Sequence, residues 1–279
     1  MELIHSTVHN EGCDLHYWHQ GQGPLLITFV PGGNGHGRQF LPLMALLSAR
    51  HGFTCATFDR RQMSASQVSS QNKRLSPPQQ ARDIRTVIAA LGFARSVLFG
   101  SSSGAIFALQ FAHDFPDMTI HVIAHEGPTF TLLPDASELF EWFARLLEVY
   151  EQNGIEKAAA EFAARLTGYD DEGLPPTASP APGNARNFWD NEMPVLAGGY
   201  VPNLWRIREN KTSVGVMRGV RCRDAFFARA VDEQARILGC PSALVPGHHQ
   251  GFEVETEAFL PCFLDMLATL ERRKGVSGK

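Results

Sequence analysis

The sequence predicts an α/β protein: a mostly parallel sheet with helices on both faces, interrupted by a helical cap. Three observations carry that prediction. Short runs that are apolar throughout alternate with segments of helical period from Leu25 to Ala124, and strands buried on both faces read this way. After Glu126 the alternation stops, and only helical periods follow to about Asn210. Strand and helix alternate again from Thr212 onward. One core, residues 1–128 and 211–279, is therefore expected to be split by a helical cap at 129–210.

In chain order, Leu3 to His9 and Leu15 to His19, joined through Asn10-Glu-Gly12, predict an antiparallel hairpin at the sheet edge. Leu25 to Val30 is a strand ended by Pro31-Gly32-Gly33. Phe40 to Arg50 has helical spacing and stops at Gly52, and Phe53 to Phe58 is again a strand. The helical period of Gln79 to Leu91 runs through Ile84, Val87 and Ile88, with Gly92 as its stop. Ser96 to Gly100 is a buried strand, Ala105 to His113 an apolar helix, and Ile120 to Ala124 a further strand. Helical periods then cover Leu139 to Glu151, Ile155 to Leu166 and Phe188 to Trp205, broken by the Pro-rich loop Gly173 to Gly183. The order closes with strand Thr212 to Met217, helix Asp224 to Leu238, strand Ala243 to Val245 and helix Glu257 to Leu270. Lys274 to Lys279 is expected to fray.

Composition narrows the function classes. The 279 residues carry 25 Lys+Arg against 29 Asp+Glu, a net charge of −4, which lacks the basic footprint of a nucleic-acid or anionic-membrane binder. With 19 Phe and 4 Trp the chain is too rich in aromatics to stay disordered. No apolar run approaches the roughly 18 residues that cross a bilayer, and Met1-Glu-Leu-Ile-His5 is not a secretory leader. Cys13, Cys55, Cys222, Cys240 and Cys262 are odd in number and widely spaced, which argues against a disulfide framework and a zinc site. The expectation is a cytoplasmic protein with reduced thiols, no metal and no cofactor. Its partner is a small-molecule substrate, and a homodimer is compatible with the composition.

Chemistry is concentrated in four places. Gly100-Ser101-Ser102-Ser103-Gly104 follows a predicted strand and opens a predicted helix, the context of a nucleophile elbow. There a hydroxyl, that of Ser102, stands proud of a tight turn. Small residues on either side let strand and helix approach, and the Ser103 amide points at a developing oxyanion. Pro31 to Gly37 holds four glycines, Gly32, Gly33, Gly35 and Gly37, directly after another strand. It suits a second oxyanion donor, the amide of Gly33 or of Asn34; no Lys-Ser/Thr follows, which excludes a phosphate-binding P-loop. A general base is expected on the loop Val245 to Phe252. His249, one residue deeper in that loop, is preferred to His248. For the acid that orients the base, Glu126 at a strand end competes with Asp224, which otherwise suits a helix N-cap.

With these residues in place the chain resembles an α/β-hydrolase. More narrowly, His125-Glu126-Gly127-Pro128 followed by Leu132-Leu-Pro-Asp135, with the elbow and the Pro246-Gly-His-His249 loop, is similar to the zearalenone lactone hydrolases. The resemblance implies a Ser102, Glu126, His249 triad with oxyanion amides from Gly33 and Ser103. It weakens in the cap, where Leu196 stands at the place of a substrate-stacking Trp, and at Asp59-Arg60-Arg61-Gln62, where relatives carry Gly at the fourth position. The expected activity is hydrolysis of an ester or lactone of a mostly apolar small molecule through an acyl-enzyme. The alternatives are a C–C bond hydrolase on a diketone-type substrate, or a small-molecule receptor on the same scaffold. Phe130, Leu133, Phe143, Trp189, Met193, Leu196, Tyr200 and Trp205 are the candidate pocket residues.

Overall fold

The computed structural model describes residues 2–33, 35–68, 73–166 and 181–277. The N-terminal hairpin forms from β1 (Ile4–Asn10) and β2 (Cys13–Gln20), which pair antiparallel with Asn10 opposite Cys13. Its two-residue turn places both Glu11 (φ 45°) and Gly12 (φ 77°) at positive φ, matching the twist of the flanking strands. There follow β3 (Leu26–Val30), α1 (Leu41–His51), β4 (Thr54–Phe58), α2 (Pro77–Ala90), β5 (Ser96–Ser101), α3 (Ser103–Asp114) and β6 (Thr119–His125). The helical segment holds α4 (Ala136–Asn153), α5 (Ile155–Ala163), α6 (Pro182–Asn187), a π-helical turn (Phe188–Glu192), α7 (Met193–Ala197) and α8 (Leu204–Glu209). The chain closes with β7 (Val214–Gly219), α9 (Phe226–Leu238), β8 (Ser242–Val245), α10 (Gly251–Val254) and α11 (Thr256–Ser277).

These strands form one sheet in the order β1-β2-β4-β3-β5-β6-β7-β8. Strands β3 to β8 run parallel, and β2 is antiparallel to both its neighbours. Side chains alternate across the sheet as the pleat requires. Leu26, Leu98, Val122 and Val216 pack with α2, α3, α8 and α9 on one face. Ile27, Phe29, Phe99, Ile123 and Met217 pack with α1, α10 and α11 on the other. A third apolar cluster joins α4, α5 and the π turn to Phe226 and Phe227 at the start of α9.

Three expectations need correction. Helix α8 packs on α3 and α9 of the sheet layer, because Leu204 and Ile207 are buried there and not among the other helices of 129–210. Helix α11 continues to Ser277, through most of the tail expected to fray. Helix α9 begins at Phe226 with Ala225 at its N-cap, so Asp224 does not cap it. Of the expected loop 173–183, residues up to 180 lie outside the described chain, and Pro182 and Gly183 open α6.

Below the elbow, β5 is anchored by aromatic packing. The ring of Phe99 lies 5.7 Å from Phe29, 5.9 Å from Phe252 and Phe259, and 5.6 Å from Phe263. Such pairs add about 0.5–1.5 kcal/mol each beyond their buried area, so the strand presenting the site rests on a stiff floor.

Candidate active site

Ser102 sits between β5 and α3 with φ 58° and ψ −132°, a conformation that costs a non-glycine residue of order 1–3 kcal/mol. The close approach that holds it there depends on glycine. A Cβ on Gly100 would lie 2.2 Å from the Gly104 carbonyl oxygen, and one on Gly104 would lie 2.1 Å from that of Val30. The Ser102 amide donates to the His125 carbonyl at 2.9 Å, tying the elbow to the end of β6. Ser103 begins α3, so its amide is among those that lack an intrahelical acceptor. Its hydroxyl is buried without a partner.

Glu126, fully buried at the end of β6 with φ 49°, receives donors from three elements. The Gly219 amide donates to Oε1 at 2.8 Å and the Cys222 thiol to Oε2 at 3.4 Å. The His249 Nδ1 lies 2.6 Å from Oε2. Burial alone would raise this carboxyl, but His125, the His249 hydrogen bond and charge, and the Cys222 thiol outweigh it and hold it below the ordinary carboxylate range. Burial pushes the Cys222 thiol up, so it stays a donor. The His249 ring lies 4.5 Å from Phe227 and keeps a side chain 12% exposed. His248 turns away: it is buried, its Nδ1 accepts from the Gln250 amide at 3.0 Å, and it does not line the cavity described next. Asp224 is exposed and its carbonyl accepts from Arg229; it does not meet His249, because Glu126 occupies that place.

Ser102, Ser103, Gly32, Gly33 and His249 share the wall of one cavity of about 380 Å³, between the sheet edge and the helical segment. Asn34, the other candidate donor, lies outside the described residues. Phe143, Trp189, Met193 and Leu196 line the cavity as expected, whereas Phe130, Leu133 and Tyr200 do not. Phe130 packs 4.8 Å from Phe143 inside the helical cluster, and Leu133 is buried in the same cluster. Tyr200 faces α3, where its hydroxyl donates to Gln110. Trp205 is 59% exposed.

Sequence reasoning missed Phe162, Phe188, Phe226, Phe227 and Phe252, which complete the apolar wall. The pair Phe226-Phe227 had a usable signal, since it opens the helix after a strand's carboxyl end. Of the described residues lining the cavity, His249 is the one histidine, and none is an aspartate, glutamate, lysine or arginine. Nearby, His125 is buried with Nδ1 3.0 Å from Ser101 Oγ, and burial pushes it down to about 4. Among the described residues no group of His, Cys, Asp and Glu is placed to hold a metal, and no helix is long and apolar enough to cross a membrane. The five cysteines are unbridged.

Comparison with known proteins places these observations. Residues 26–200 match the family described as alpha/beta hydrolase fold. An uncharacterized hydrolase of Bacillus subtilis, YraK, is 24% identical over 273 residues, covering 96% of this chain and 97% of that protein. A zearalenone hydrolase of Cladophialophora bantiana is 29% identical over 138 residues, 46% of this chain and 49% of that protein. Among solved structures, an enol-lactonase from Burkholderia xenovorans superposes with a TM-score of 0.71 at 15% identity, covering 94% of this chain and 100% of that one.

Proposed function

The chain belongs to the alpha/beta hydrolase fold family, and on that premise we propose that it is a serine hydrolase cleaving an ester or lactone bond of an uncharged, mostly apolar small molecule. One observation carries the reading. Ser102, strained at a strand-to-helix junction, shares a cavity wall with His249, whose other nitrogen lies 2.6 Å from buried Glu126.

In the proposed reaction the Ser102 hydroxyl oxygen bonds the substrate carbonyl carbon while His249 Nε2 takes its proton. The carbonyl oxygen becomes an oxyanion facing the Gly33 and Ser103 amides, which stabilise charge that the ground state lacks. Collapse of this intermediate breaks the bond to the alcohol oxygen, which leaves with the proton from His249. Water then attacks the acyl-enzyme, His249 accepts its proton, and the acid departs as Ser102 recovers a proton. Throughout, Glu126 stays ionised, fixes the tautomer with the proton on Nδ1, and stabilises the imidazolium.

The cavity supports the substrate class. Its volume falls within the roughly 300–1,000 Å³ of small-molecule sites, and a carboxylate or ammonium group would find no fixed opposite charge on the described wall. The partial similarity to a zearalenone hydrolase adds a macrocyclic lactone to the candidates, beside aryl and alkyl esters. A fluorophosphonate should label the wild type at one serine and fail to label Ser102→Ala. Equal labelling of both proteins would remove Ser102 from the mechanism.

A further inference from the structure

Arg60 is the largest fully buried side chain among the described residues. A guanidinium has five N–H donors in a rigid fork, and here each has an acceptor. Nε and Nη2 donate to the Gly32 carbonyl oxygen at 3.2 and 2.7 Å. Nη1 and Nη2 also donate to the two carboxylate oxygens of Glu192 at 2.8 and 2.7 Å, and Nη1 to Gln80 Oε1 at 3.3 Å. The Phe107 ring closes one side, its centroid 4.9 Å from Cζ. The Gly35 amide adds a third donor to the Gly32 oxygen, at 2.9 Å.

The Gly32 carbonyl and the Gly33 N–H belong to one planar peptide unit. Pinning its oxygen therefore sets where the Gly33 hydrogen points, on a loop that lies between β3 and α1. A cation on the oxygen side also polarises the amide and strengthens its N–H as a donor. The balancing carboxylate is supplied from the helical segment: Glu192 ends the π turn that puts Phe188 and Trp189 into the cavity wall. Packing alone does not call for this pair, because buried ion pairs are often matched or bettered by apolar residues of similar volume.

We propose that Arg60, balanced by Glu192, is a positioning residue for the oxyanion hole, locking the Gly32–Gly33 peptide so that the Gly33 amide faces the substrate's carbonyl oxygen. The alignment then depends on the seating of the segment that carries Glu192. The inference rests on the serine-hydrolase reading.

The test is steady-state kinetics on an uncharged p-nitrophenyl ester, with active sites counted by fluorophosphonate titration. Arg60→Met/Glu192→Met removes both charges together, so neither is left buried alone. Its kcat per titrated site should fall about 10- to 100-fold with KM within about twofold, since deleting an oxyanion donor outright costs about 10²–10³. Arg60→Lys keeps the charge but not the fork, and should fall between. A kcat per site within about twofold of wild type in the variants that fold overturns the proposal, as does a rise in KM with kcat held. If the double variant does not fold, Arg60→Lys decides by the same criterion. A wild type with no titratable serine would overturn the serine-hydrolase reading and this inference with it.

Discussion

Glu126 and Asp224 differ at the residue scale in what holds them. Three donors from β7, the turn after it and the His249 loop converge on the Glu126 carboxylate, while Asp224 is exposed. On the proposed mechanism, Glu126→Gln should lower kcat by about 10³–10⁴-fold, the loss that follows when a general base is deprived of the carboxylate that sets its tautomer. Asp224→Asn should leave kcat within about twofold, because surface substitutions away from such features have small effects. Turnover of one ester by both variants checks this, and the reverse ranking would reassign the acid. The strained turn at Ser102 was legible in the sequence because such a turn is local: glycines two residues either side, a strand before and a helix after. The choice between two carboxylates was not local, since both follow strand ends and β7, the strand before Asp224, is the one next to β8; only the path of the chain after β7, which leaves Asp224 exposed, gives His249 to Glu126. Arg60 was less legible still. Its partner lies 132 residues away in another part of the fold.

At the scale of elements, the parallel strands were readable because both faces are buried, which leaves continuous apolar runs such as Leu26–Val30. The helices of 129–210 were readable as helices but not as walls. Periodicity shows which face is apolar and not what it faces, so Phe130 and Phe162 look alike in sequence and only one reaches the cavity. The junction that holds the elbow is that of β3, β5 and α3, where a Gly104 Cβ would meet backbone of Val30 and Pro31 at 2.1 and 2.8 Å. Backbone cannot swing aside as a side chain can. Gly104→Val should cost more than about 4 kcal/mol and leave little folded protein. Gly183→Ala, in α6 with nothing within 4 Å of the new Cβ, should be neutral or gain up to about 1 kcal/mol. Thermal melts followed by circular dichroism separate the two; a cooperative Gly104→Val transition near that of wild type would show that the junction can open.

Across the whole molecule, packing seals titratable rings from water both at the end of β6 and in the loop after β3. His125 and His36 are both pushed down to about 4 by burial, from an ordinary value of 6.5. Between those values an unfolded chain binds a proton that the folded ring refuses. The contribution to stability is thus complete above about 6.5 and is lost as pH falls toward about 4, at close to 1.4 kcal/mol per pH unit for each ring. His125→Asn removes one of these protons while keeping an amide able to reach Ser101. Urea unfolding at pH 7, 6 and 5 should show wild type losing stability faster than His125→Asn, so that the gap between them shifts in favour of the variant on acidification. A gap that stays constant with pH would mean that the ring titrates alike in both states. Burial would then not be the force that keeps the elbow's neighbour neutral, and water would have to reach the His125 ring.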